Sequence, residues 1–571
     1  MNIAIQRPLN ITTDINASRF GVSTDSPDNT AAMQSAFDCC REHPGSRLVV
    51  DYGVYRFNTK ENILIDGLKD VIISANYSEF IFFGGGFFRV QNCERLLIKD
   101  LVIDWDWGKR RLADLYRIEA VDTDKHFFDA SNLDTGKVTD EQPWLYTTPY
   151  DRLTQTPGCE AKREYAATYV TYLDPSPHVQ KMEKVDDNRL RLYHDGVFDD
   201  MEPGDLQLVR YVMYGSNAFY VMKSGHVTLQ NITVFSVPGM AFYFGDSAHH
   251  FHLQNCTVMV RPNSQRSISA SADAVHIADT CGHILIEGCD LSFMGDDCIN
   301  IGESLGYVIE KTGARSLRIQ GDRPFEIGDE YAFKRTDYSD MDFTARVAGS
   351  AEHDGRQRTL EFDADLPDEV GKATIIYNKK YHSDNYHIRD NYFHENRGRG
   401  MLLQCDNGLV EHNRFYKTLA GAINIVSDIQ PGLWAEGSGV DTLEVRHNSF
   451  KDCNVNDWSA LIMMDVHNPD SSGSVPAFRS IYVHHNRFYD FPSRAFEVRY
   501  ADGMTISDNV FMNPTARQKE KPDRGHISVD RSVNVYIKNN TWFDTGLSEP
   551  DALFSVENSE GVEISGNQIR D

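Results

Sequence analysis

Three aspartates carry the clearest chemistry in this sequence. Asp273 stands in Ala-Asp-Ala-Val-His-Ile (272–277), and Asp296 and Asp297 stand in Gly-Asp-Asp-Cys-Ile-Asn-Ile (295–301). An Asp-Asp pair alone is most simply the cap of a bend. A third carboxyl brought beside it changes that, because like charges a few ångströms apart raise at least one pKa and hold a proton near neutrality. A cluster of this kind suits glycoside hydrolysis, which needs a protonated acid on the leaving oxygen and an ionised base. The expected roles are Asp296 as general acid, with Asp273 and Asp297 jointly activating water. In an inverting enzyme such groups stand roughly 6.5–9.5 Å apart.

The elements that would bring these residues together are repeats. One phrase, an aliphatic strand, an Asn-type position and a second short strand, recurs as HVTLQNITV from His226, FHLQNCTVM from Phe251, YHIRDNYF from Tyr386 and VEISGNQI from Val562. Its Asn-type positions are 231, 255, 391, 413, 448, 486, 509, 540 and 567, with shortest spacings of 22 to 24 residues. Short strands at this period, without helical patterns between them, predict the coils of a right-handed parallel β-helix, with the Asn side chains stacked rung on rung. Aligning the inward pairs Val275/Ile277, Ile299/Ile301, Met401/Leu403 and Ile423/Ile425 sends Tyr243, His276, Asn300, Leu402, Asn424 and Glu497 outward. The same alignment puts Asp273 and Asp297 on adjacent coils, about 4.8 Å apart in backbone spacing, with Arg399 one coil further as a substrate clamp or a counter-charge.

Two stretches lose the phrase, and each contains strand pairs around Gly-Asp turns, EPGDLQLVR from Glu202 and EIGDEYAFKR from Glu326. The expected organisation is all-β: helix coils over 1–107, an inserted antiparallel, barrel-like domain over 108–213, coils carrying the aspartates over 214–302, a second such domain over 303–380, and coils over 381–571. The insertions are read as walls that turn a groove into a pocket.

Bulk properties narrow the partners. The 571 residues are 41% hydrophobic and 25% charged, as in ordinary globular proteins. A net charge of −27 opposes nucleic acid or an anionic membrane surface as partner, and mildly opposes a polyanionic substrate. No apolar run is long enough to span a bilayer, and the first ten residues, MNIAIQRPLN, lack the pattern of a signal peptide. A cytoplasmic location is therefore expected, with a leader already removed as the alternative. The ten scattered cysteines are expected to be buried free thiols. An exposed solenoid flank leaves a homodimer open.

The order Ala-Asp-Ala-Val-His-Ile then Gly-Asp-Asp-Cys-Ile-Asn-Ile is similar to two families of inverting β-helix glycosidases. The Gly-His-Gly and Arg-Ile-Lys signatures of one, the polygalacturonases of glycoside hydrolase family 28, are absent. The chain resembles more closely glycoside hydrolase family 110, the exo-acting α-1,3-galactosidases. The likeness includes IKDLVIDWDW from Ile98, RGRGMLLQCDNGLVEHNRF from Arg397, GAINIVSD from Gly421 and LWAEGSGV from Leu433. It implies catalytic roles for Asp273, Asp296 and Asp297 in a metal-independent inverting cleavage of terminal α-galactose from oligosaccharides, with no cofactor. That family continues Asp-Asp-Pro-Val-Asn-Val-His-Gly; here Cys298 and Gly302-Glu303 replace the Pro and the His-Gly, which leaves sugar and linkage open.

Around the aspartates, His276 and Asn300 are expected to contact sugar rather than merely fill a ladder. For Trp434, stacking on a sugar face is weighed equally with core packing. Glu436 is weighed equally between binding hydroxyls and lying in a solvated loop. Asp104 and Asp106 are expected to be structural, and Lys379 and Lys380 to end the second insertion. Two other readings compete. A Ca²⁺-dependent polysaccharide lyase would use the aspartates as hard oxygen ligands and Arg399 or Lys380 as base. A non-catalytic carbohydrate-binding solenoid would bind sugar without turnover.

Overall fold

The structure is a computed structural model that describes all residues except 159–161, 163, 170–175, 322–324, 354–356, 457–459, 471–474, 492–493, 513–525, 544–552 and 571. Two long sheets, of 25 and 13 strands, run along a parallel β-helix. The 13-stranded sheet takes one strand from each coil. Phe242–Gly245, Val275–Ala278, Ile299–Gly302, Met401–Leu403, Ile423–Gln430, Ile462–His467 and Phe496–Arg499 follow one another in parallel register. Their first residues, Phe242 through Phe496, point inward and are buried, as period-two alternation requires. His276 pairs with Asn300, Asn300 with Leu402, and Leu402 with Asn424, so the outward column falls as expected.

Inside, like residues stack on like. Phe393, Phe415, Phe450, Phe488, Phe511 and Trp542 form one column with centroids 4.6 to 5.0 Å apart. Each such ring contributes about 1.5–3 kcal/mol by leaving water. At the N-terminal end the edge strand Ile63–Asp66 is closed by Thr30–Glu42, a helix whose Gln34 accepts from the Leu64 N–H at 2.9 Å and donates to its C=O at 3.0 Å. That answers the unpaired-edge problem of any open sheet.

The Asn ladder is real but shorter than the sequence pattern predicts. Asn391, Asn413, Asn448, Asn486, Asn509, Asn540 and Asn567 are linked amide to amide at 3.0 to 3.1 Å. Asn231 and Asn255 are not in it. They sit one position earlier, in the bend itself, at φ +55° and +53°, a conformation Asn tolerates better than most residues. On those coils and the next, Ile232, Cys256 and Cys289 take the inward position, and the ladder begins where the side-chain Oδ1 of Asn391 accepts the Cys289 N–H. The nine described cysteines are free thiols, seven of them buried; Cys159 lies outside the described residues.

Between the coils of Glu94–Trp105 and Phe219–Met222 the chain builds an antiparallel sheet of eight strands, from Ala113 to Arg210, around Tyr116, Ile118, Phe128, Trp144, Leu190 and Phe198. Between Ile299–Gly302 and Tyr386–Arg389 six antiparallel strands, from Gly306 to Asn378, close into a barrel around Val308, Leu317, Phe333, Val347 and Leu360. In both, the Gly-Asp turn forms as the residues dictate. Gly204 and Gly328 take φ +100° and +97°, and the following Asp accepts an N–H three residues back at 2.9 and 2.8 Å.

Candidate active site

Coil stacking assembles the aspartates. The Asp297 N–H donates to Asp273 Oδ1 at 3.0 Å, and the Arg399 N–H donates to Asp297 Oδ1 at 2.8 Å. Three successive coils thus meet through one rung of main-chain to carboxylate bonds. Glycines make the approach possible. A Cβ on Gly398 would lie 2.4 Å from the Asp296 carbonyl carbon, and one on Gly295 would lie 2.3 Å from the Ser271 oxygen. One carboxylate oxygen from each of the three aspartates lies within 4.8 Å of the others.

Each carboxylate oxygen has a partner. Asp273 Oδ2 faces His276 Nδ1 at 2.7 Å. Asp297 is held by Arg399 on both oxygens, Nε at 2.9 Å and Nη2 at 2.8 Å. Asp296 accepts from Arg397 Nη1 at 3.4 Å and from the Tyr214 hydroxyl. Arg397 is held in turn by Glu164 at 2.9 Å, and both Arg397 and the buried Arg210 lie against the Tyr146 ring. Arg210 donates to the Gly295 carbonyl at 2.7 Å.

The charges divide the three acids. Burial, then the Asp296 charge, push Asp273 well above the usual carboxylate range. Burial also pushes Asp297 up to about 7 against the pull of Arg399. Burial acts the same way on Asp296, but Arg397, Arg399 and the Tyr214 hydroxyl outweigh it and hold that carboxyl below its ordinary value. Burial thus favours the neutral form at Asp273 and Asp297, while the donors around Asp296 favour its charged form. The two arginines and the tyrosine around Asp296 are what favour its charged form, a direction that bears on its expected role as general acid.

Of the other expected residues, His276 touches the cluster directly, and Asn300 lies one rung beyond it in the same column. Arg399 is the counter-charge of Asp297. Trp434 and Glu436 lie on a short strand antiparallel to Ile423–Gln430, whose Ala435 carbonyl accepts the Leu305 N–H at 2.8 Å. Trp434 is 39% exposed and donates to Asp428 at 2.9 Å. The described side-chain bond of Trp434 thus runs to Asp428 and not to the three aspartates. Gly302, where the resembling family has His, is covered by the side chain of Gln404. Asp104 is structural, bonded to Arg261 at 2.8 Å and Arg266 at 2.6 Å. Asp106 is paired with Arg56 at 3.4 Å. Lys379 and Lys380 pair with Glu330 and Glu326. Tyr146, Glu164, Arg210 and Tyr214 were missed. They lie in or beside the first insertion, far from the aspartates in sequence, and only the Arg-Gly-Arg around Gly398 hinted at a charged partner.

Oxygen ligands within 4.8 Å can in principle share one hard cation. Here five of the six carboxylate oxygens are hydrogen-bonded to protein groups, and the sixth, Asp297 Oδ2, faces Arg399 Nη2 at 2.8 Å. A second cluster, His126, His194 and Asp199, lies in the first insertion. His194 Nδ1 accepts the Gly196 N–H at 3.0 Å. That puts the hydrogen of the neutral ring on Nε2 and leaves no lone pair there for a metal.

No family model matches the chain. Curated relatives do. α-1,3-Galactosidase B of Bacteroides thetaiotaomicron is 22% identical over 92% of this chain and 90% of its own length. α-1,3-Galactosidase A of Shewanella woodyi is 23% identical over 93% and 91%. Among solved structures, an α-1,3-glucanase catalytic unit of Streptomyces thermodiastaticus superposes with a TM-score of 0.47 at 11% identity, covering 99% of this chain and 70% of its own. An exopolygalacturonase of Thermotoga maritima superposes with a TM-score of 0.46 at 12% identity, covering 94% and 93%. The resemblance read in the sequence thus extends along nearly the whole chain, which is a distant relative of the α-1,3-galactosidases.

Proposed function

We propose that the protein is a glycoside hydrolase that releases terminal α-linked galactose, above all α-1,3-linked, from oligosaccharides, without a metal and with inversion. The observation that carries this is the carboxylate triad, one oxygen of each acid within 4.8 Å of the others, a crowding that favours a retained proton. Asp296 is the most exposed of the three, with 17% of its side chain accessible, and meets the glycosidic oxygen. The proton it passes to that oxygen comes from Asp273 or Asp297. Water then supplies hydroxide to the anomeric carbon, and its remaining proton returns to the cluster, so the triad ends as it began. The relatives' name supports galactose. So does charge, since the two guanidiniums that touch the triad, on Arg397 and Arg399, are already ion-paired with carboxylates. That favours a neutral sugar over a uronate and weighs against both the polygalacturonase and the lyase readings.

A second stereochemical reading, retention, uses carboxyl groups about 5–5.5 Å apart where inversion uses about 6.5–9.5 Å. Incubation with defined α-1,3-galactosyl oligosaccharides, followed by NMR, separates the two. β-Galactose as the first product confirms inversion, and α-galactose establishes retention. Binding without product would establish the non-catalytic solenoid. Loss of activity in a chelator, with an unsaturated product absorbing in the ultraviolet, would establish the lyase.

A further inference from the structure

Tyr214 stands where the first insertion returns to the coils, and its placement is not that of a surface residue. Its hydroxyl donates to Asp296 Oδ2, yet the residue as a whole is 49% exposed. The ring therefore stands at the opening above the triad with its polar tip inside. Its backbone lies at φ +48°, a conformation costly for a bulky side chain, about 1–3 kcal/mol. The chain beside it is packed closely against a coil. The next residue, Gly215, donates its N–H to the Pro238 carbonyl at 2.9 Å. A Cβ on it would lie 2.9 Å from both the Pro238 carbonyl oxygen and the Pro238 Cβ, and a Cβ on Gly239 would lie 2.3 Å from the Gly215 oxygen. Pro238 and Gly239 belong to the coil immediately before that of Asp273, whose carbonyl accepts the Ala241 N–H at 3.1 Å. A glycine-on-glycine contact thus clamps a strained tyrosine against the coil next to the catalytic one. Strain kept in this way clusters at functional sites.

Resting on the proposed glycosidase reading, we propose that Tyr214 is a positioning and substrate-contact residue: its hydroxyl fixes Asp296 and its exposed ring packs on the apolar face of the sugar. The geometry fits both tasks. An amphipathic ring with one wet and one buried end is what a CH-rich sugar face and a carboxylate together require. The hydroxyl stays protonated, since burial and the charges of Asp296 and Asp273 push its pKa well above the usual phenol value. The groups that face Asp296 are Asp273 from the preceding coil, Asp297 beside it, Arg397 and Arg399 from the following coil, and Tyr214 and Arg210 from the insertion side.

The test compares Tyr214→Phe with Tyr214→Ala. Calorimetric titration with galactose should show Tyr214→Phe within about threefold of the parent protein and Tyr214→Ala weaker by at least about tenfold, from the roughly 1.4 kcal/mol that a tenfold change represents. On a cleaved galactoside, Tyr214→Phe should lower kcat about tenfold or more with KM nearly unchanged. It should also move the pH limb set by Asp296 upward, because a donor to the charged form is lost. Unaltered galactose affinity in a folded Tyr214→Ala protein, or an unaltered pH profile in Tyr214→Phe, overturns the proposal. Galactose binding that follows the expected pattern without turnover of any galactoside would sink the hydrolase reading while sustaining the ring contact.

Discussion

At the scale of single residues, the proposed catalytic triad is a place where function would oppose stability. Asp273 is buried and its folded-state pKa is raised, so its contribution is fully favourable only below the unfolded value, about 3.9, and is lost as pH rises through the folded one. Asp297, raised to about 7, sets the window for the cluster between roughly pH 4 and 7. Asp273→Asn keeps an oxygen for the Asp297 N–H and removes one of the three charges. It should abolish turnover, by about a thousandfold or more, while raising Tm by about 1–3 °C at pH 8 and hardly at all at pH 4. Calorimetric melts at the two pH values check this, and equal shifts would show that the cluster is not charge-strained. Gly398→Ala tests the rung itself. A methyl 2.4 Å from the Asp296 carbonyl carbon must displace the Asp296–Asp297 backbone, and a loss of kcat of at least about tenfold is expected even where the protein still folds.

At the scale of elements, the ladder and the bends make separate contributions. Asn486 Oδ1 accepts both the N–H and the amide of Asn448, while its own amide donates to the Val445 carbonyl and to Asn509. Asn486→Ala strands a buried N–H, at about 1–3 kcal/mol, in addition to the side-chain bonds lost. A fall in urea midpoint larger than for Asn567→Ala, at the exposed end of the ladder, is expected. The bends carry a histidine stack, with His250 4.1 Å from His283 and 4.7 Å from His226. Burial and these neighbours lower the His250 pKa to about 4. A depressed histidine pKa stabilises the fold above its unfolded value, near 6.5, and that contribution disappears as pH falls toward 4. His250→Asn, which keeps the left-handed bend, should flatten the Tm profile between pH 6.5 and 4, and an unchanged acid limb would refute the assignment. This element scale is also where the sequence was most legible. Inward alternation placed Asp273 and Asp297 on adjacent coils because a parallel β-helix has one register per strand. Asn231 and Asn255 were misread because a bend residue and the ladder residue beside it are both served by Asn, and periodicity cannot tell adjacent positions apart. Tyr214, Arg210 and Glu164 left no periodic trace at all, since an insertion meets the coils through tertiary contacts that no repeat encodes.

At the scale of the whole molecule, the two insertions are attached to the same solenoid but do different things to the triad. The barrel closes around its own core and joins the coils through Leu305, Tyr307, Ile375, Ile429 and Ala435. The first insertion reaches the triad itself, through Glu164 on Arg397 and Arg397 on Asp296. A charge in that insertion is thus linked through Arg397 to a carboxylate on a coil more than a hundred residues later. Glu164→Gln leaves the fold's cores untouched and removes only the carboxylate that shares Arg397. With that competitor gone, Arg397 is freer to pair with Asp296, which should move the Asp296 pKa further down, and a proton would then be harder to place there. The expected outcome is a fall in kcat of about tenfold at neutral pH, recovering partly as the pH is lowered, with Tm changed by less than about 1 °C. A proportionate loss of Tm, or a kcat insensitive to Glu164, would instead make the first insertion a wall around the groove and no part of its chemistry. Because the molecule carries a net charge of −27, the same variant should be assayed at low and high salt. A field effect from the whole surface is screened within a Debye length of about 10 Å at 0.1 M, whereas the half-buried, directly paired Glu164–Arg397–Asp296 relay is screened much less, so persistence of the effect at high salt assigns it to the relay.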